Sequence, residues 1–157
     1  MTDSTIQSDS PFDVPSRETV AAIANLMIPA SEEFKVPAAG DPQILAAILD
    51  QLAAERELVV DGLSALEGAA RAKHEKGFIE VDNAEKPALI EGLLASHGMF
   101  LQTLITAILA SYYQDSRVMA SLDMEIRPPF PGGFEVEQGD WSLLDPVRQR
   151  EPFYRKV

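Results

Sequence analysis

An uncharged stretch near the C-terminal half of the chain constrains the fold most. Between Glu91 and Asp115 the sequence contains no Asp, Glu, Lys or Arg. Apolar and aromatic residues recur there at the spacing of a helix face, at Phe100, Leu101, Leu104, Ile105, Ile108, Leu109 and Tyr112. A membrane span, which needs roughly 20 apolar residues, is the alternative. Because His97, Gln102 and other polar residues interrupt the stretch, the pattern favours a buried central helix.

Two helices are predicted within the first 55 residues. The first has Ser16 as its N-cap and ends at Pro29, because proline disfavours helical backbone in the residue before it. The second begins with Asp41 as N-cap and Pro42 at the first helical position, where its missing N–H costs no hydrogen bond.

Two further helices are predicted before the uncharged stretch, and a short one after it. The third runs from about residue 57 to 73 and contains Gly62 and Gly68, which allow close approach of another helix. The fourth lies in VDNAEKPALIEGLLAS, with Asp82 and Glu85 spaced as a capping box. A short helix follows Asp115.

These elements predict an all-α fold, a small bundle of about five helices with a long irregular C-terminal arm. No stretch alternates as a strand does. We expect residues 1–15 to form a lead-in, residues 16–126 a helical domain, and residues 127–157 an aromatic-rich arm that packs on the domain and on a partner.

The charge balance argues against two classes of partner. The chain has 13 Lys and Arg against 25 Asp and Glu, a net charge of −12, and all of the excess lies before residue 127. An acidic body is repelled by nucleic acid and by anionic lipid, so we expect neither nucleic-acid binding nor membrane insertion. The first 16 residues lack the pattern of an export signal, which predicts a cytoplasmic location, with a periplasmic one as the alternative.

No catalytic group of residues can be identified from the sequence. Cysteine is absent, which excludes thiolate metal sites and disulfides. His74 and His97 are far apart and lack metal-ligand spacing, and the pairs Ser96–His97 and Tyr112–Tyr113 identify no triad. We therefore predict no catalytic residue, bound cofactor or metal in this chain.

The C-terminal arm has the composition of an interface. Aromatic residues alternate there with arginines, the types enriched at binding hot spots. Packing of these rings onto the chain's own helices is the competing interpretation. The candidate interface residues are Tyr112, Tyr113, Phe130, Phe134, Trp141, Arg148, Phe153 and Tyr154.

Four segments together resemble the gluconate 2-dehydrogenase subunit 3 family. They are TVAAIANLMIPASEE at residues 19–33, GFIEVDNAEKPALIEGLL at 77–94, FLQTLITAILASYYQDSRVMASLD at 100–123, and the PPFPGGF of the arm. The resemblance depends on their order and spacing and covers most of residues 17–157.

The resemblance implies a non-catalytic small subunit. Its partner would be a large FAD-dependent dehydrogenase of the glucose–methanol–choline type, which carries the FAD and oxidises a sugar, sugar acid or glycoside. Some such complexes add a cytochrome subunit. Many members of the family carry a twin-arginine signal and escort the large subunit, whereas this N-terminus departs from that pattern.

Two other functions remain as alternatives at this stage. One is a stand-alone enzyme or ligand binder with a pocket near His97 and Tyr112. The other is a homo-oligomeric structural module.

Overall fold

The computed structural model describes residues 11–124, 126 and 139–150. The chain divides into two compact units, Met1–Ile126 and Arg127–Val157. In the described part of the first unit there are six α-helices: α1 (Val14–Met27), α2 (Pro42–Leu52), α3 (Arg56–His74), α4 (Lys86–Gly92), α5 (Leu94–Gln114) and α6 (Ser116–Ser121). Short 3₁₀ turns lie at Ala53–Glu55 and Phe78–Glu80. Apart from an isolated bridge between Ser31 and Val36, the described residues form no strand, so the all-α prediction is confirmed.

The first two helices begin with aspartate caps. Asp41 caps α2 by accepting a hydrogen bond from the N–H of Gln43, with Pro42 in the first turn, as the sequence predicts. The prediction that Ser16 caps α1 is wrong. The cap is Asp13, whose carboxylate accepts a hydrogen bond from the N–H of Ser16 at 3.0 Å. Helix α1 begins at Val14, and Pro15 lies in its first turn, where a proline is well tolerated.

Helix α5 supplies more of the hydrophobic core than any other described helix. It packs against α2, α3, α4 and α6. One face of α5 is buried, at Phe100, Leu101, Leu104, Ala107, Ile108, Ser111 and Tyr112. The prediction of a central core helix therefore holds for this face, whereas Ile105 and Leu109, which the sequence also assigned to the core, are 43% and 39% exposed.

Helix α5 is also long and apolar enough to cross a membrane, by length and composition alone. A third of its most apolar window is buried inside the bundle. The core helix of a soluble protein passes the same test, and the buried face described above accounts for much of the apolar sequence.

One of the two glycines in α3 sits directly beneath an aromatic ring of α5. A Cβ atom placed on Gly62 would overlap the ring of Phe100, which is itself fully buried. A Cβ on Gly68 would meet nothing within 4 Å. The predicted close approach is therefore made by Gly62 and not by Gly68.

The polar break after α3 contains a buried ring. Phe78 has no exposed surface, and its backbone N–H donates to the Glu67 carboxylate of α3 at 2.9 Å. This hydrogen bond lowers the pKa of Glu67. The bond and the buried ring hold the Phe78–Glu80 turn against the bundle.

The predicted start of the fourth helix is wrong. Asp82 forms a turn, in which its carbonyl accepts from the N–H groups of Glu85 and Lys86. Helix α4 begins only at Lys86, with Pro87 in its first turn, and no side chain caps it.

The described part of the second unit is short. A 3₁₀ turn at Trp141–Leu144 is capped by Asp140, and α7 follows at Asp145–Arg148. No residue of either element is buried.

A candidate partner-binding surface

The described residues hold no cluster of three or more potential metal ligands. His74, at the end of α3, has its Nδ1 atom 3.4 Å from a carboxylate oxygen of Glu85. His97, in the first turns of α5, has its Nε2 atom 3.6 Å from a carboxylate oxygen of Asp61. Each histidine thus faces one carboxylate, on a different part of the bundle.

His97 and Tyr112, which the sequence suggested as the lining of one pocket, lie too far apart to form it. Both residues lie on α5, separated by about 22 Å along the axis at 1.5 Å per residue. Tyr112 is 3% exposed and donates its hydroxyl to the carbonyl of Pro37 at 3.3 Å. Burial raises the pKa of this phenol, and the neighbouring Tyr113 and Asp115 add to the rise. A catalytic pair of these two residues is therefore excluded in this conformation.

The strongest polar cluster is a structural clamp. The guanidinium of Arg117, at the start of α6, donates to Asp115 at 2.9 Å and to Asp41, the cap of α2, at 2.8 Å. Asp115 also caps α6, and its side chain is 4% exposed. The hydrogen bonds from Arg117 lower the pKa of both carboxyls and raise the pKa of the guanidinium. With every partner engaged, the cluster ties the α5–α6 corner to the start of α2.

A cavity of about 540 Å³ opens beside α1, α3 and the Phe78–Glu80 turn. Its central charged groups already have partners. Arg71 donates through Nε to Glu67 at 2.9 Å, and the other oxygen of Glu67 accepts from Phe78. Arg71 and Glu67 are therefore engaged with each other and with the Phe78–Glu80 turn.

The residues predicted from the sequence to form an interface fall into three groups: buried, exposed, and outside the described residues. Tyr112 is in the core, whereas Tyr113 is 54% exposed and meets Tyr112 edge to face at 5.3 Å between ring centroids. Trp141 is 60% exposed in the second unit, where Arg148 is also exposed and pairs with Asp145. The other four candidates, Phe130, Phe134, Phe153 and Tyr154, lie outside the described residues.

An exposed apolar face of α5 was missed from the sequence. Ile105, Leu109 and Tyr113 follow one another at four-residue intervals and are all exposed, and Met99 is 69% exposed. No charged residue lies on α5, so this surface is uncharged from end to end in a protein of net charge −12. The available signal was a second apolar stripe on a helix that needs only one to pack.

A hydrophobic groove lies beside this face. Its volume is about 320 Å³, and α1, α4 and α5 line it. Met27 of α1, Leu94 and Ile105 line the groove and are 36%, 60% and 43% exposed. Since depletion of charge and enrichment in Met and aromatic residues mark the centres of protein interfaces, the α5 face and the groove form the candidate binding surface.

Comparison with known proteins identifies one family. Residues 15–132 match the family model described as Gluconate 2-dehydrogenase subunit 3. The match covers all six helices of the first unit and confirms the resemblance seen in the sequence. No curated protein and no solved structure matched the chain.

Proposed function

The chain belongs to the gluconate 2-dehydrogenase subunit 3 family, and from that premise we propose that it is the small, non-catalytic subunit of a sugar-oxidising dehydrogenase complex. In this proposal it binds the large subunit and stabilises its fold. The large subunit carries FAD and the chemistry, and this chain holds no cofactor. In this proposal a cytochrome subunit is a further component, as in some complexes of this kind.

The observation that carries the proposal is the uncharged exposed face of α5. A soluble acidic protein gains nothing by presenting Met99, Ile105 and Tyr113 to water. Covering such side chains contributes roughly 25 cal/mol for each Å² of apolar surface removed from water. A permanent partner subunit supplies that cover, and the family's name describes its members as subunits.

Co-expression tests the proposal. The partner to look for is a long chain that begins with a GxGxxG flavin-binding motif and is encoded beside this one. We would express this chain alone and together with such a flavoprotein. We expect the two chains to elute together in gel filtration with flavin absorbance in the shared peak. Elution as separate species, or sugar oxidation by the isolated small chain, would refute the proposed role.

Stabilisation of the large subunit is measured separately. A partner that binds only the folded state stabilises it by about 2.7 kcal/mol at a hundredfold excess over Kd. We expect the thermal midpoint of the flavoprotein to rise with added small chain and, above Kd, to keep rising with the logarithm of its concentration. An unchanged midpoint in the presence of binding would leave a subunit without a stabilising role.

A further inference from the structure

The groove between α1, α4 and α5 has one charged residue among the ten described residues that line it. The other nine are apolar, and the exception is Glu91 of α4. No described residue forms an ion pair with Glu91. An apolar groove with a single negative charge at its wall is complementary to an apolar segment that carries one positive charge.

The exposure of the groove's walls shows that the bundle leaves it uncovered. Leu94 lines the groove and is 60% exposed. Leu101 and Leu104, which also line the groove, are nearly buried. Burial of an exposed Leu or Ile side chain against a partner removes apolar surface from water and therefore favours binding. Ile105, on the same wall, continues into the exposed α5 face, so the groove and that face form one surface.

Charge decides which occupant fits. A second copy of this chain would bring another net charge of −12 against the first, and an anionic lipid surface is likewise repelled. A partner with positive charge around its apolar segment is attracted by the same field. Like-charge contacts across an interface are unfavourable, which argues against both alternatives.

We infer that this groove receives an apolar segment of the flavin-containing large subunit, with an Arg or Lys of that segment paired to Glu91. The inference rests on the proposed function and adds the place and chemistry of docking. In this arrangement Leu94, Met27 and Ile105 pack against the apolar side chains of the partner's segment, and the pairing with Glu91 fixes the orientation of that segment.

Matched substitutions test the groove. Ile105→Glu and Leu94→Glu introduce a charge at its wall, while Ile79→Glu and Val14→Glu introduce the same charge elsewhere. The pairs are matched in exposure, at 43% for both isoleucines and at 60% and 61% for Leu94 and Val14. We expect the groove variants to raise the Kd for the flavoprotein chain by at least about tenfold, which is 1.4 kcal/mol. The two control variants should stay within about twofold of the wild type.

Charge reversal tests the pairing with a basic residue. Glu91→Lys should raise the Kd by about threefold to tenfold, the range of a partly exposed ion pair turned repulsive. Glu57→Lys, on the exposed surface of α3, makes the same change in net charge and should have a smaller effect. Added salt should reduce the difference between Glu91→Lys and the wild type because screening weakens the repulsion.

Each outcome either supports or overturns the inference. Circular dichroism and thermal unfolding first establish that all variants fold like the wild type. If the wild type binds the flavoprotein and groove variants bind as tightly as their controls, the docking site is overturned while the proposed function stands. If the wild type does not bind, the proposed function itself fails.

Two further measurements distinguish the competing occupants. A concentration-dependent dimer in light scattering that Leu94→Glu abolishes would assign the groove to a second copy. Binding to phosphatidylcholine vesicles with added phosphatidylglycerol, lost in Ile105→Glu, would assign it to a lipid surface. Either result overturns the inference, and a monomer without vesicle binding supports it.

Discussion

Among single residues, Gly62 has no room for a side chain. The ring of Phe100 lies where a Cβ atom would be, and that ring cannot move outward because it is fully buried. In a closely packed core, one added methyl group displaces the neighbouring side chains. The sequence shows both Gly62 and Gly68 in α3, and nothing in their immediate neighbours distinguishes them.

Gly62→Ala is expected to lower the free energy of unfolding by about 1–3 kcal/mol, because the added methyl group overpacks the α3–α5 contact. Gly68→Ala, in open space on the same helix, should raise it by about 0.5–1 kcal/mol. Urea unfolding of both variants measures the two changes. Similar shifts for the two alanines would contradict the packing assigned to Gly62.

Arg117 serves two helix caps at once, and its removal leaves Asp115 buried without a counter-charge. Arg117→Met should destabilise the fold at neutral pH by about 1–2 kcal/mol, a figure reduced because the guanidinium is partly exposed. Arg71→Met removes a more exposed pair with Glu67 and should cost about 0.5 kcal/mol or less. Chemical denaturation at pH 7 compares them.

The same pair of variants has a defined pH dependence. Arg117 lowers the folded-state pKa of Asp41 and Asp115, so its contribution is complete above their unfolded pKa of about 3.9. The contribution is lost as the pH falls through the lower folded-state values. The stability difference between the wild type and Arg117→Met should therefore shrink in acid, and a difference that grows below about pH 4 would contradict the clamp.

At the scale of the helices, the C-terminal end of α3 has a residue in an unfavourable backbone conformation. Glu75 follows the helix with φ 57° and ψ 21°, the left-handed region that glycine adopts freely. The sequence offers Gly77 two residues later, so a helix ending near Lys73 could be predicted, but not which residue takes the left-handed position.

Glu75→Gly should stabilise the protein by about 0.5–1 kcal/mol, because the strain of a side chain in the left-handed region is removed. Ser64→Gly, at an exposed position inside α3, should instead destabilise it by about 0.5 kcal/mol. Thermal unfolding of the two variants gives opposite shifts if the helix ends as described. A loss of stability in both would place Glu75 in ordinary helical backbone.

The approximate positions of the helices could be predicted from sequence, although the predicted starts of α1 and α4 were wrong. Asp41 and Pro42 fix the start of α2 through local chemistry, and the prediction was right. The exposed side of α5 could not be found in this way, because the number of helices that surround it depends on the whole bundle. Ile105 and Ile108 look alike in sequence, yet one is 43% exposed and the other fully buried.

Tertiary contacts also explain the missed role of Phe78. In sequence it lies in a polar break, HEKGF, with no periodic neighbours. Its ring is buried, and its backbone N–H donates to Glu67, eleven residues earlier. A hydrogen bond between a helix side chain and the backbone of a later turn has no local sequence signature. The family relationship, in contrast, was visible in the order of the sequence segments.

For the whole molecule, the helical unit contains its own core. The described buried residues of that core run from Phe12 to Val118 and form one cluster. The larger compact unit ends at Ile126. A single cluster of this kind is what a cooperative two-state domain requires.

A chain truncated after Ile126 is therefore expected to unfold in one cooperative transition, with a midpoint within a few degrees of the full-length protein. Its affinity for the flavoprotein should fall, because the removed residues 127–157 carry aromatic and arginine side chains typical of interface hot spots. Calorimetry measures the first effect and titration with the large subunit the second. Loss of the cooperative transition would show instead that residues 127–157 complete the fold of this chain, and their aromatic residues would then belong to its core rather than to the partner.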